Sequence, residues 1–192
     1  MRSHFATTGA AALMALGVLT GCSIHQAATE QQAAPATPPG YEEHNDADVI
    51  FAQQMIPVEQ RAIALSEALL AKQGVNKDVT DLANAIEQND RPEIAQMQGW
   101  LKEWGAPPGD AAQRSVAEMA SSPDVATLKA ADPGQAAQFY LERMIDNRQQ
   151  ALALSKTEND DGTYRATVAA AGGNMATLER QISTMKTLLE SS

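Results

Sequence analysis

One helical pattern occurs twice in the sequence, and this duplication restricts the chain to a small set of folds. In the first copy, core-type residues recur at alternating intervals of four and three, at Phe51, Met55, Val58, Ala62, Leu65 and Leu69. The second copy repeats the spacing 89 positions later, at Tyr140, Met144, Asn147, Ala151 and Leu154. This spacing is typical of the seam between packed helices. Each copy exposes an apolar face that only a second copy can cover, so we predict an all-α four-helix bundle made of two pseudo-symmetric hairpins.

The partner helix of each hairpin carries its own apolar stripe. Ile94, Met97 and Leu101 in the first hairpin correspond to Ile182, Met185 and Leu189 in the second, at an offset of 88. Helix-starting pairs of a capping residue and proline occur at 122–123 and 132–133. We therefore place the first hairpin at residues 45–109, a short helical connector at 110–131 and the second hairpin at 132–192, all in one domain.

Four local features carry expectations of their own. Gly74 is expected to end the first helix, and Pro92 is expected to kink the second because it removes a backbone donor. Residues 159–162, Asn-Asp-Asp-Gly, predict a turn. The glycines at 172–173 each cost a helix about 1 kcal/mol relative to alanine, which a closely crossing neighbour would explain.

The N-terminus resembles a bacterial lipoprotein signal peptide over residues 1–21. Its apolar stretch, Gly9 to Leu19, is too short to span a bilayer comfortably. The following Leu-Thr-Gly-Cys ends at Cys22 and resembles the lipobox, in which the cysteine receives fatty-acyl chains such as palmitate and becomes the new N-terminus. An ordinary signal peptide with a chance cysteine is the alternative. Residues 22–44, rich in proline, alanine and glutamine, predict a disordered tether.

These features predict an exported protein that is lipid-anchored to the cell membrane or outer membrane, with its domain on the extracytoplasmic side. The chain has 14 basic and 24 acidic residues, which disfavours nucleic acid as a partner and electrostatic adhesion to anionic lipid. The membrane contact is therefore expected through the acyl chains on Cys22. Because Cys22 is the only cysteine, its lipidation would leave no thiol for catalysis, for a disulfide or for a metal.

Four segments in order resemble one known family. They are FAQQMIPVEQRAI, PEIAQMQGWLKEWG, FYLERMIDNRQQAL and QISTMKTLL. Together they are similar to the exported ferritin-like helical family called domain of unknown function 305, over roughly Asn45 to Leu189. The resemblance implies a ferritin-like bundle. It also implies export, often as a lipoprotein, and in some members an association with copper or other metals.

The resemblance further implies a pair of histidines after Met-Ile-x in each hairpin, and this chain lacks both pairs. Val58 and Glu59 stand at the first pair, and Asn147 and Arg148 stand at the second. The site implied by the family is therefore degenerate here. We hypothesise that Glu59 and Arg148 form an ion pair across the pseudo-two-fold axis; the alternative is that both face solvent.

Metal binding by other residues has to be weighed separately. His25 and His44 lie off the helical seams, and no Glu-x-x-His motif occurs, which argues against an imidazole site and a carboxylate di-metal centre. Thioethers suit Cu(I), and the candidate ligands on seam positions are Met55, Met97, Met144 and Met185, with Glu93 nearby. Methionine is equally a flexible core filler, and the seam spacing favours that interpretation. We expect no cofactor, with copper as the alternative.

The sequence carries no enzyme signature. Asp90 and Glu93, one turn apart, either share an inward face or lie on an exposed turn, and no oriented serine and base occur together. We predict a non-enzymatic binding or accessory module of the cell envelope with an unidentified envelope protein as a candidate partner. The alternatives are a copper-binding or copper-homeostasis protein that uses methionines and carboxylates, and a structural protein that binds partners. For the last, Trp100 and Trp104 are a candidate surface, although they are expected to cap the core.

Overall fold

The computed structural model describes residues 43–191, so the predicted signal peptide, Cys22 and most of the predicted tether lie outside the described residues. Six helices make up this part of the chain: α1 (Asp46–Leu70), α2 (Lys77–Glu103), α3 (Val116–Met119), α4 (Pro123–Ala130), α5 (Pro133–Asp161) and α6 (Arg165–Glu190). α1 packs against α2 and α5 against α6, while α1 and α5 join the two hairpins. The predicted four-helix bundle is confirmed. None of these helices is apolar over a stretch long enough to cross a membrane.

α1 and α5 run antiparallel where the two hairpins meet. At one end, the side-chain amide of Asn45 donates to the carbonyl of Asp161 at 2.8 Å. Towards the other end, the hydroxyls of Ser66 and Tyr140 are hydrogen-bonded at 2.9 Å. The pseudo-two-fold axis therefore crosses the bundle between these contacts, at right angles to the helices. Equivalent positions far from the axis lie at opposite ends of the bundle.

The core forms two apolar clusters. One contains Leu65, Leu69, Tyr140, Met144 and Met185, together with Met119, Val125 and Leu128 of the connector helices. The other contains Phe51, Met55, Met97, Trp100, Leu101 and Leu178. Trp100 is buried, and Trp104 is half-buried against this second cluster with His44 stacked on it at 4.7 Å between ring centroids. Both tryptophans pack against the core, as expected from the sequence.

Two predicted helix ends were wrong. α1 stops at Leu70, and Gly74 lies in the loop beyond it with a φ of 78°, in the region that favours glycine. α5 continues through Asn159 to Asp161, so the predicted turn is confined to the residues from Gly162 onward. The reason is that the last inward-facing residue of α5 is the carboxyl side chain of Glu158, which a search for apolar periodicity passes over.

The glycine and proline expectations had different outcomes. α2 continues as one helix through Pro92, and the kink expected there stays a prediction. A methyl group on Gly173 would meet nothing within 4 Å, and one on Gly172 would meet only the Asn159 side chain at 3.4 Å, so no close helix crossing explains the two glycines. The tight position is Gly162 instead, where a methyl group would lie 2.6 Å from the carbonyl oxygen of Glu158.

Candidate functional site

The two degenerate motifs meet at the pseudo-two-fold axis. Val58 and Asn147, which occupy equivalent positions in the two hairpins, are both buried. The side-chain amide of Asn147 donates to the backbone carbonyl of Val58 at 2.8 Å. The repeat in the sequence therefore located the pseudo-two-fold axis correctly. At the axis, the two hairpins are joined by this direct hydrogen bond.

Arg148 is ion-paired, but not with the residue that we predicted. Its Nη2 lies 2.6 Å from Oδ2 of Asp90, and its Nη1 lies 3.3 Å from Oδ1, so the contact is bidentate. The two side chains are 3% and 5% exposed. Within residues 43–191, Glu59 makes no ion pair with Arg148, and neither side chain faces solvent. The hypothesis failed because α2 turns Asp90 inward, where its carboxylate offers Arg148 both oxygens.

The ionisation of Asp90 reflects two opposing influences. Burial raises its pKa to about 6, while the charge and hydrogen bonds of Arg148 act in the opposite direction. At neutral pH the carboxylate of Asp90 is therefore mostly ionised. The Arg148–Asp90 ion pair links α5 to α2. Of the two alternatives for Asp90, the inward face is the correct one.

Glu59 faces Glu93 of α2. Burial raises the pKa of Glu59 well above its usual range, and the charges of Asp90 and Glu93 and a hydrogen bond with Glu93 raise it further. Glu59 therefore holds its proton more readily than a solvent-exposed glutamate does. Glu93 is half-buried, and its Oε2 accepts from the side-chain amide of Asn174 in α6 at 2.7 Å. These contacts complete a polar belt that draws on all four long helices and is formed by Glu59, Asp90, Glu93, Arg148 and Asn174.

A cavity of about 20 Å³ lies within the polar belt and is lined by Met55 and by four of its charged residues. This volume is enough for about one water molecule. Met97 lines a neighbouring cavity that shares Glu59, Glu93 and Asn174 with the first. Two of the candidate thioethers therefore lie on either side of a carboxyl pair.

The other two candidate methionines are elsewhere. Met144 and Met185 belong to the first apolar cluster, whereas Met55 and Met97 belong to the second. Equivalent methionines lie on opposite sides of the pseudo-two-fold axis, so the four are divided between the two clusters. No three His, Cys, Asp or Glu side chains in the described part of the chain are placed to hold one metal ion.

A second buried carboxyl pair, which the sequence analysis missed, lies where α1 begins. Asp48 is fully buried and accepts from the backbone N–H groups of Thr163 and Tyr164 and from the Thr167 hydroxyl. Burial by itself would raise the pKa of Asp48, but these and other hydrogen bonds lower it to about 2. Apolar periodicity gives no sign of this contact, because Asp48, Glu158 and Thr167 are all polar.

Comparison with known proteins places the chain among other helical bundles. A crystal structure of a DUF305 fragment from Deinococcus radiodurans matches with a TM-score of 0.66 and 27% identity, covering 77% of this chain and 98% of that one. A DUF305 protein from Streptomyces coelicolor matches with a TM-score of 0.66 and 24% identity, covering 76% of this chain and 93% of that one. CopM in its Cu(I)-bound form matches with a TM-score of 0.62 and 21% identity, covering 75% of this chain and 96% of that one.

The sequence itself gives the family. No curated protein matches the chain. The family model described as Domain of unknown function (DUF305) matches residues 48–189, which include all four long helices except their outermost residues. The resemblance carried by the repeated hairpin motifs is thereby confirmed, and the chain belongs to the DUF305 family.

Proposed function

We propose that this protein is a non-enzymatic, lipid-anchored module of the cell envelope in which an internal ion pair replaces the metal ligands of its family. The Arg148–Asp90 pair is the observation that carries the proposal. An arginine cannot be deprotonated at physiological pH and so does not ligate metals. Arg148 stands at one of the positions where the family resemblance implies a histidine, and its guanidinium places a positive charge there.

The absence of catalysis is also part of the proposal. Ser66 is buried and hydrogen-bonded to the Tyr140 hydroxyl, so it has no base beside it. Asp90 is engaged by Arg148, and burial raises the pKa of Glu59 well above its usual range. These contacts stabilise a bundle; they do not arrange a nucleophile, a base and an access route for substrate.

The location outside the cytoplasm rests on the lipobox-like segment that ends at Cys22. The Streptomyces coelicolor neighbour is described as a candidate secreted protein, which is compatible with export.

We expect the chain isolated from membranes of the producing cell to begin at Cys22 and to carry acyl chains. Intact-mass measurement checks this. The Cys22→Ala variant should lose the added mass and move to the soluble fraction, and an unmodified thiol at Cys22 would contradict the anchor.

A copper-binding role is the second candidate, and one observation favours it. Met55 and Met97 line two cavities that both include Glu59 and Glu93, so two thioethers and two carboxyl groups are available at one level of the bundle. Thioethers suit Cu(I). CopM, which shares the fold, has been solved in Cu(I)-bound and Cu(II)-bound forms.

Copper titration under chelator competition separates the two candidates. The full chain is titrated with Cu(I) and, separately, with Cu(II). Two double variants are compared with it: Met55→Leu with Met97→Leu, and Met144→Leu with Met185→Leu as the matched control from the other cluster. We expect the parent chain and both double variants to compete equally weakly with the chelator. Cu(I) binding that is lost only in the first double variant would replace our proposal with the copper-binding role.

A further inference from the structure

A second polar cavity lies on the connector side of the α1–α5 seam. It has a volume of about 170 Å³, many times the space that one water molecule needs. Arg61 of α1, Asp124 of α4, and Arg143 and Asp146 of α5 contribute charged side chains to its lining. We call it the connector pocket. Asn147 lines this pocket whereas Arg148 lines the cavity of the polar belt, so the two sites lie on different sides of α5.

The arginines of the connector pocket have hydrogen-bond donors that are not used within residues 43–191. Within residues 43–191, Arg61 makes no ion pair. Arg143 is held in place by two contacts. Its guanidinium carbon lies 5.5 Å from the ring centroid of Phe139, and its Nη1 lies 3.6 Å from Oδ2 of Asp146. Its buried Nε has no acceptor. Two guanidinium groups with unused donors are suited to a carboxylate.

The acceptor part of the pocket is equally well defined. Asp124 and Asp146 bring carboxylates to the lining. Asn147 is 2% exposed; its amide nitrogen is used by Val58, and its Oδ1 accepts no hydrogen bond. A buried carbonyl oxygen without a donor is unfavourable unless a ligand or a solvent molecule supplies one. Two carboxylates and a free carbonyl oxygen are suited to an ammonium group.

We propose that the connector pocket binds a small zwitterion, an α-amino acid or a short peptide, with its carboxylate at Arg61 and Arg143 and its ammonium group at the aspartates and Asn147. A simple anion would meet the two aspartates, and a metal cation would meet the two arginines. A zwitterion satisfies both parts. An adjoining cavity of about 320 Å³ shares Arg61 and Gln150 with the pocket and gives room for a side chain or a second residue. The proposal goes beyond the function proposed above and does not depend on the copper result.

Calorimetric titration of the full chain tests the proposal. The probes are the twenty standard amino acids, each added separately, and glycylglycine; acetate and methylammonium represent the two halves of a zwitterion. We expect one or more of the zwitterions to bind saturably at one site per chain, and each half to bind at least ten-fold more weakly. Arg61→Gln and Asp146→Asn should each weaken binding by ten-fold or more. Both residues are exposed, so these changes leave the fold intact.

The matched control is Arg180→Gln, which removes an exposed arginine on α6, far from the pocket lining. It should bind like the parent chain. Three results would each overturn the proposal: no zwitterion binds with a Kd below about 1 mM, acetate binds as tightly as the best zwitterion, or Arg61→Gln behaves like Arg180→Gln. A preference for glycylglycine over every free amino acid would identify the ligand class as peptide.

Discussion

Replacement of Arg148 with methionine is expected to lower the free energy of unfolding by about 3–5 kcal/mol at pH 7. Methionine fills similar space without the charge, so the carboxylate of Asp90 would be left buried with no counter-ion. The pKa of Asp90, already raised by burial to about 6, would rise further without Arg148. The deficit should therefore shrink when the same urea unfolding measurement is repeated near pH 5, because a protonated Asp90 carries no charge.

Two further variants show whether burial of the unpaired charge is the cause. Arg148→Met combined with Asp90→Leu removes both charges, and it should recover to within about 1 kcal/mol of the parent chain or exceed it. Arg91→Met is the control: Arg91 pairs with Glu67 and Glu87 at the surface, and its loss should cost less than about 1 kcal/mol. If Arg148→Met costs no more than Arg91→Met, the pair is not desolvated, and it does not close the site in the way that we propose.

The sequence was sufficient to predict the bundle because apolar periodicity reports burial directly. All six seam residues of the first copy, from Phe51 to Leu69, are buried. The connector is also seated as its apolar residues suggest, with Met119, Val125 and Leu128 in the core. In each case a hydrophobic side chain leaves water, and that preference depends on no particular partner.

The polar belt was not predictable in the same way, because charged side chains that are buried look like surface residues in a periodicity analysis. Arg148 is long enough to reach either Glu59 or Asp90, and the choice depends on how far α2 is rotated about its axis. Polar residues in the α2 stripe obscure that rotation in the sequence. The four candidate methionines likewise share seam positions in the sequence, whereas the antiparallel packing divides them between two clusters.

Replacement of Asp48 with asparagine is expected to be the second most damaging change, lowering the free energy of unfolding by about 2–4 kcal/mol at pH 7. Asp48 caps α1 by accepting from the backbone N–H of Asn45 at 2.7 Å. It also accepts from Thr163, Tyr164 and Thr167, so it joins the start of α1 to the turn between α5 and α6. Asparagine has one acceptor oxygen and an amide that would face other donors. Urea unfolding and hydrogen exchange at the N–H groups of Thr163 and Tyr164 measure the loss.

Glu158→Gln is the matched comparison, since Glu158 is buried beside Asp48 but forms none of these caps. Burial first, and the neighbouring Asp48 in addition, raise the pKa of Glu158 from 4.5 to about 7. A raised carboxyl pKa stabilises the fold below about pH 4.5, and that contribution is lost as the pH rises to 7. Glutamine has a similar size and cannot ionise. The free energy of unfolding of the variant, relative to that of the parent chain, should therefore rise by about 2–3 kcal/mol from pH 5 to pH 8. Asp48→Asn should instead stay destabilised across that range, because Asp48 itself titrates near pH 2. Equal pH profiles for the parent chain and Glu158→Gln would show that the fold does not raise the pKa of Glu158, and this account of the carboxyl pair would then be wrong.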